Sequence, residues 1–126
     1  MRDVIATPAA PAAIGPYAQA IRAGGFIFTS GQIPIDPGDG ALHAAAEIAA
    51  QTELVLRNLA ALLEAAGSGL EKVVKTTVYM TDLGEFAAMN AVYGRFFRDA
   101  PPARSTVEVR GLPRGVRIEI EAVALA

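Results

Sequence analysis

The sequence predicts an α+β fold, one sheet with two helices packed on one of its faces, in the chain order ββαβαββ. Two observations carry this expectation. Two segments repeat apolar residues at helical spacing, and the others with a regular pattern are short, rich in Val, Ile, Thr or Phe and bounded by Gly or Pro. With 126 residues, 52% of them apolar and 19% charged, the chain is read as one globular domain spanning residues 1–126.

Taken in order, Tyr17 to Ile21 and Phe26 to Ser30 are the first two strands, and Gly24-Gly25 between them suits a hairpin turn. The first helix lies between Ala44 and Ala66. Ile48, Thr52, Val55, Leu59, Leu62 and Ala66 form its apolar stripe, while Glu47, Gln51, Asn58 and Glu64 fall off it. Glu53 and Arg57 add an i,i+4 pair, and Gly67 suits a left-handed helix end. Val73 to Met80 is a Val/Thr-rich strand. The second helix runs from about Leu83 to Phe97 with Phe86, Met89, Tyr93 and Phe96 on its apolar face, Thr81 or Asp82 as cap and Glu85 in a capping box. Pro101-Pro102 ends it. Ser105 to Val109 and Val116 to Leu125 are the closing strands, separated by a loop containing Gly111, Pro113 and Gly115.

The closing strands alternate. Ile118, Ile120, Ala122 and Ala124 share one face, opposite Arg117, Glu119 and Glu121; Arg104, Thr106 and Glu108 oppose Ser105, Val107 and Val109. Two helices cover one face of such a sheet, so the charged face is either solvated or covered by a second copy of the chain. Arg104 heads this face behind the stiff Pro101-Pro102-Ala103 segment. A guanidinium there either pairs with a neighbouring-strand glutamate or binds a substrate carboxylate through two parallel hydrogen bonds.

Composition excludes several kinds of chemistry. A net charge of −2 without a Lys/Arg run disfavours nucleic acid as partner. With no cysteine and the single histidine His43, neither a disulfide framework nor a thiolate or His-rich metal site is expected, and no cofactor is implied. Ser30 lacks the Gly-x-Ser-x-Gly setting of a hydrolase nucleophile. Asp36 and Asp39 alternate with glycines in a surface turn, and Arg110, Arg114 and Arg117 are read as a solvated loop near a last hairpin. No stretch has signal-peptide or membrane-spanning character, so the cytoplasm is the expected compartment.

Several blocks of the sequence resemble RidA/YjgF proteins: Ile14-Gly15-Pro16-Tyr17-Ala18-Gln19-Ala20, Thr29-Ser30-Gly31-Gln32-Ile33-Pro34, Val74 to Tyr79, Met89-Asn90-Ala91-Val92-Tyr93, Pro102 to Val109, Leu112-Pro113 and Ile118 to Ala122. The resemblance covers nearly the whole chain. It implies a chorismate-mutase-like fold, a homotrimer with clefts between subunits, and cofactor-free hydrolysis of 2-iminobutanoate and 2-iminopropanoate to 2-oxo acids and ammonia. By position Arg104 resembles the family's carboxylate-binding arginine and Glu119 its active-site glutamate. Tyr17, Ser30, Gly31, Asn90 and Thr106 resemble cleft-lining residues. Thr106 stands where many relatives have cysteine, and the loop from Phe97 to Pro101 is shorter than in some. Other roles standing beside it are carboxylate binding without turnover, ribonuclease or translation-inhibitor activity, and a chaperone or purely structural role.

Overall fold

The computed structural model describes residues 1–126. Its six strands are β1 (Asp3–Ile5), β2 (Ala20–Ala23), β3 (Phe26–Thr29), β4 (Val73–Met80), β5 (Ala103–Glu108) and β6 (Ile118–Leu125). They form one mixed sheet in the order β1-β2-β3-β6-β4-β5, with two helices, α1 (Ile48–Ala65) and α2 (Phe86–Phe96). Only the β4–β5 pairing is parallel. Because β6 is antiparallel to both β3 and β4, those two strands run the same way and α1 is the crossover between them. The α+β class and the two helices on one face of the sheet are as the sequence predicts.

The local reasons are the predicted ones in most places. Gly24 and Gly25 both have positive φ (59° and 83°), the geometry of a two-residue turn that matches strand twist, and Ala23 pairs with Phe26 across it. All six residues of the α1 stripe are buried. The helix ends where Gly67 turns left-handed (φ 80°), with Ser68 N–H donating to Leu63 O at 2.9 Å and Gly67 N–H to Glu64 O at 3.0 Å. The core lies between helices and sheet, with Val55, Leu56, Leu59, Leu62 and Leu63 of α1 against Ile27, Val78, Met80, Ile118 and Ile120. Each fully buried leucine there is worth about 1.5–3 kcal/mol of transfer free energy.

Several expectations are corrected. A short edge strand, β1, precedes the first predicted one, and β2 begins at Ala20, leaving Tyr17 in the loop before it. Helix α1 starts at Ile48 because residues 44–47 form a turn closed by Gln51, whose side-chain amide donates to Ala44 O and Ala46 O. Gln51 and Asn58, expected toward solvent, are buried. Asp82 caps a short 3₁₀ turn (Leu83–Glu85) through Gly84 N–H, and Glu85 forms no capping box: its carboxylate meets Arg117 at 2.7 Å.

The largest correction concerns the closing strands, which do not form a hairpin. β5 is an edge strand parallel to β4, and β6 enters the centre of the sheet. Arg104, Thr106 and Glu108 pair with Thr76, Val78 and Met80, the core-facing residues of β4. The polar side of β5 therefore faces the helices, and Ser105 and Val107 face outward with Glu119 and Glu121. An edge strand tolerates this because α2 covers it incompletely and a long side chain reaches water past the helix.

Candidate functional site

On the outer face a cavity of about 460 Å³ lies between the segment before β2, the chain leaving β3 and the start of β6. Tyr17, Ser30, Gly31 and Glu119 line it, together with Gln19, Gln32 and Arg114. The strand continuing past β3 makes one bridge to β6, with Gln32 N–H donating to Ile120 O at 2.8 Å and the reverse bond at 3.1 Å. This bridge lays Gly31 against the Glu119 side chain. A methyl group at Gly31 would overlap Glu119 Oε2 and stand 2.6 Å from Cδ and 2.9 Å from Cγ, so only glycine leaves room for the carboxylate in this position. Burial, and then the negative charge of Glu121, raise the Glu119 pKa above its ordinary value. A carboxyl group facing a cavity in this condition holds a proton to higher pH than usual.

Ser30 is no nucleophile here: its hydroxyl donates to Ala18 O at 2.6 Å and its N–H to Gln19 O at 2.9 Å. It fixes the loop carrying Tyr17. Gln19, buried, does the same for the chain before it. Its amide donates to Thr7 O (3.0 Å) and Pro11 O (2.8 Å), and its carbonyl accepts from Thr7 N–H (2.7 Å).

Arg104 lies on the other side of the sheet. Its guanidinium carbon sits 4.6 Å from the centroid of the Tyr93 ring and 5.4 Å from that of Phe86. Nη1 donates to Asn90 Oδ1 at 2.8 Å, and no carboxylate of the chain pairs with it. The expected alternative of an Arg104–glutamate cross-strand pair is thus not formed. Tyr93 is held in turn by a 2.7 Å hydrogen bond with Thr76. Asn90, Tyr93 and Arg104 line a shallow concavity with Pro101 and Pro102.

One chain therefore brings Tyr17, Ser30, Gly31 and Glu119 together, and separately Asn90 and Arg104. Thr106 lines neither hollow, and its hydroxyl is buried without a partner. Its main chain is better placed. Val109 N–H donates to Met80 O, so alternation turns the N–H and C=O groups of Arg104 and Thr106 toward the free edge of β5. Sequence reasoning missed Gln19, Tyr93 as the platform under Arg104, and Arg114, read as part of a solvated loop. Gln19 alone carried a signal, a lone amide at the head of an apolar strand.

Residues 7–126 match the family described as endoribonuclease L-PSP. The chain is 50% identical to the 2-iminobutanoate/2-iminopropanoate deaminase of Salmonella typhimurium over 99% of its own length and 98% of that protein's. It is 53% identical to a RutC family protein of Pyrococcus horikoshii, covering 98% of each. The solved structure of E. coli TdcF with bound serine superposes with a TM-score of 0.93 at 43% identity, again over 98% of each chain. With the whole fold and half the residues shared, the chain belongs to the YjgF/RidA family.

Proposed function

We propose that this protein hydrolyses reactive 2-imino acids released by pyridoxal-phosphate enzymes, at clefts shared between the copies of a homotrimer. One observation carries the reading. Arg104 with Asn90 and Glu119 with its cavity lie on opposite faces of the sheet, so a site that uses both as carboxylate-binding and acid–base halves needs a neighbouring copy to bring them together. The outer face supports such a neighbour. Phe26, Phe28, Val4 and Leu125 stand exposed on one half of it, beside Tyr79, Glu119 and Glu121 on the other.

In this reading Arg104 grips the substrate carboxylate through its guanidinium fork, held flat by Tyr93 and steered by Asn90. The outward N–H of Thr106 supplies a further donor. Across the cleft Glu119 orients a water molecule toward the C=N carbon. The water oxygen bonds to that carbon, the C=N π electrons move to nitrogen, and the proton the water gives up to Glu119 is passed to that nitrogen. The tetrahedral adduct then expels ammonia as the hydroxyl proton passes through Glu119, leaving a C=O bond. The raised proton affinity of Glu119 suits it to this shuttle. The Salmonella relative named for this reaction supports the assignment.

The test couples purified threonine dehydratase to this protein and follows 2-oxobutanoate. The wild type accelerates its appearance. Arg104→Ala removes the acceleration by about a hundred-fold or more, and Arg104→Lys fails similarly, since two charge-assisted hydrogen bonds and a planar fork are lost. Binding of 2-oxobutanoate without imine turnover would make the protein a carboxylate-binding member instead. RNA cleavage that survives Arg104→Ala would point to the activity in the family's description.

A further inference from the structure

Apart from Glu119, Arg114 is the only charged residue lining the outer cavity. One feature separates it from the other arginines of the chain: its main chain sits at φ 58°, ψ 22°, between Pro113 and the left-handed Gly115. Its guanidinium, like that of Arg104, has no carboxylate within 4.0 Å and is free to meet a ligand. A residue with a Cβ adopts that region at a cost that glycine avoids, and such outliers concentrate where a side chain must be aimed.

The cavity is also larger than the proposed substrates require. About 460 Å³ lies in the range that encloses whole small ligands, roughly 300–1,000 Å³, and exceeds what a methyl or ethyl side chain fills. On the imine-hydrolysis reading, this space beyond Glu119 is what stands open to the side chain of a substrate held by its α-carboxylate at Arg104 of a neighbouring copy. The wall it meets carries Ile33, Ile35 and Arg114.

We propose that Arg114 is a second anion anchor, which extends the site to 2-imino acids whose side chain ends in a carboxylate. The proposal rests on the imine-hydrolysis reading and adds to it a substrate class. An unpaired guanidinium on the wall stabilises a distal carboxylate, repels a distal ammonium or guanidinium group, and leaves short apolar side chains without a partner.

The experiment compares wild type, Arg114→Ala, Arg114→Glu, Arg114→Lys and Arg114→Gly. Each is titrated calorimetrically with 2-oxobutanoate and 2-oxoglutarate, and assayed on the two matching imines made by an amino-acid oxidase. The expected readout is the dicarboxylate-to-monocarboxylate ratio, in affinity and in kcat/KM. It falls about ten-fold in Arg114→Ala, the loss of one charge-assisted contact, and further in Arg114→Glu, while Arg114→Lys keeps part of it. Arg114→Gly loses the ratio equally yet melts no lower than the wild type, since it relieves the main chain. An unchanged ratio, a parallel loss on both ligands, or a clear drop in the melting temperature of Arg114→Gly would overturn the anchor. Turnover of 2-iminobutanoate with an indifferent ratio sinks the anchor alone. Absent turnover with an Arg114-dependent binding ratio sinks the hydrolysis reading alone.

Discussion

Only a hydrogen fits on the Gly31 Cα without displacing the Glu119 carboxylate. Gly31→Ala should therefore act on chemistry more than on folding, because the obstructed group is the end of a flexible side chain beside a cavity. Imine hydrolysis is expected to fall by about ten- to a hundred-fold, as for a misplaced acid–base group, with the melting temperature nearly unchanged. Activity equal to the wild type would mean that Glu119 works from another position. The carboxyl itself is testable through pH. Burial and Glu121 raise its folded pKa above the unfolded value, so the native state binds this proton more tightly. The resulting stability is complete below the ordinary carboxylate pKa and is lost as pH rises through the raised one. Glu119→Gln, neutral throughout, should gain melting temperature relative to the wild type over the pH range above the ordinary carboxylate pKa, while losing turnover. A constant offset across that range would show that Glu119 titrates normally.

At the scale of elements, α1 secures the loop that walls the cavity. Asn58 Nδ2 donates to Ile35 O at 2.7 Å and Ile33 O at 3.4 Å, and Gln51 Oε1 accepts from Arg117 N–H at 2.9 Å. Asn58→Leu leaves the Ile35 carbonyl without its donor, while Ile33 O keeps the Ile35 N–H, and should cost about 1–3 kcal/mol in urea unfolding, with reduced turnover as Ile33 and Ile35 shift. A loss below about 0.5 kcal/mol would show the loop is held elsewhere. The helices were readable because a stripe at spacings of three and four has one way to be buried, as Val55, Leu59 and Leu62 show. The polar exceptions Gln51 and Asn58 were not, since their partners are carbonyls of a distant loop. For β5, alternation set Arg104, Thr106 and Glu108 apart from Ser105 and Val107 but not which set meets the helices. That depends on β5 pairing with β4 rather than β6, and no local signal encodes the choice. Hence the family resemblance could name Tyr17, Ser30, Gly31, Glu119, Asn90 and Arg104, but not their division between the two faces of the sheet.

For the molecule as a whole, the proposed site shared between copies makes a prediction that no single-chain site shares. Arg104→Ala and Glu119→Gln should each be inactive alone, and mixing the unfolded proteins before joint refolding should restore activity. In a closed ring of three, random mixing leaves about a quarter of the clefts with both residues intact. No recovery, with mixed trimers verified by native mass spectrometry, would place the reaction within one subunit. No helix is long and apolar enough to cross a membrane. The placement of β6 bears on how the chain is made. It is sixth in chain order yet joins β3 to β4 in the middle of the sheet. During synthesis the β1–β3 meander and the β4-α2-β5 unit both emerge with an open edge, each waiting for a strand not yet translated. At about 5–20 residues per second that wait lasts seconds, and until Leu125 arrives the two halves have no common sheet to share.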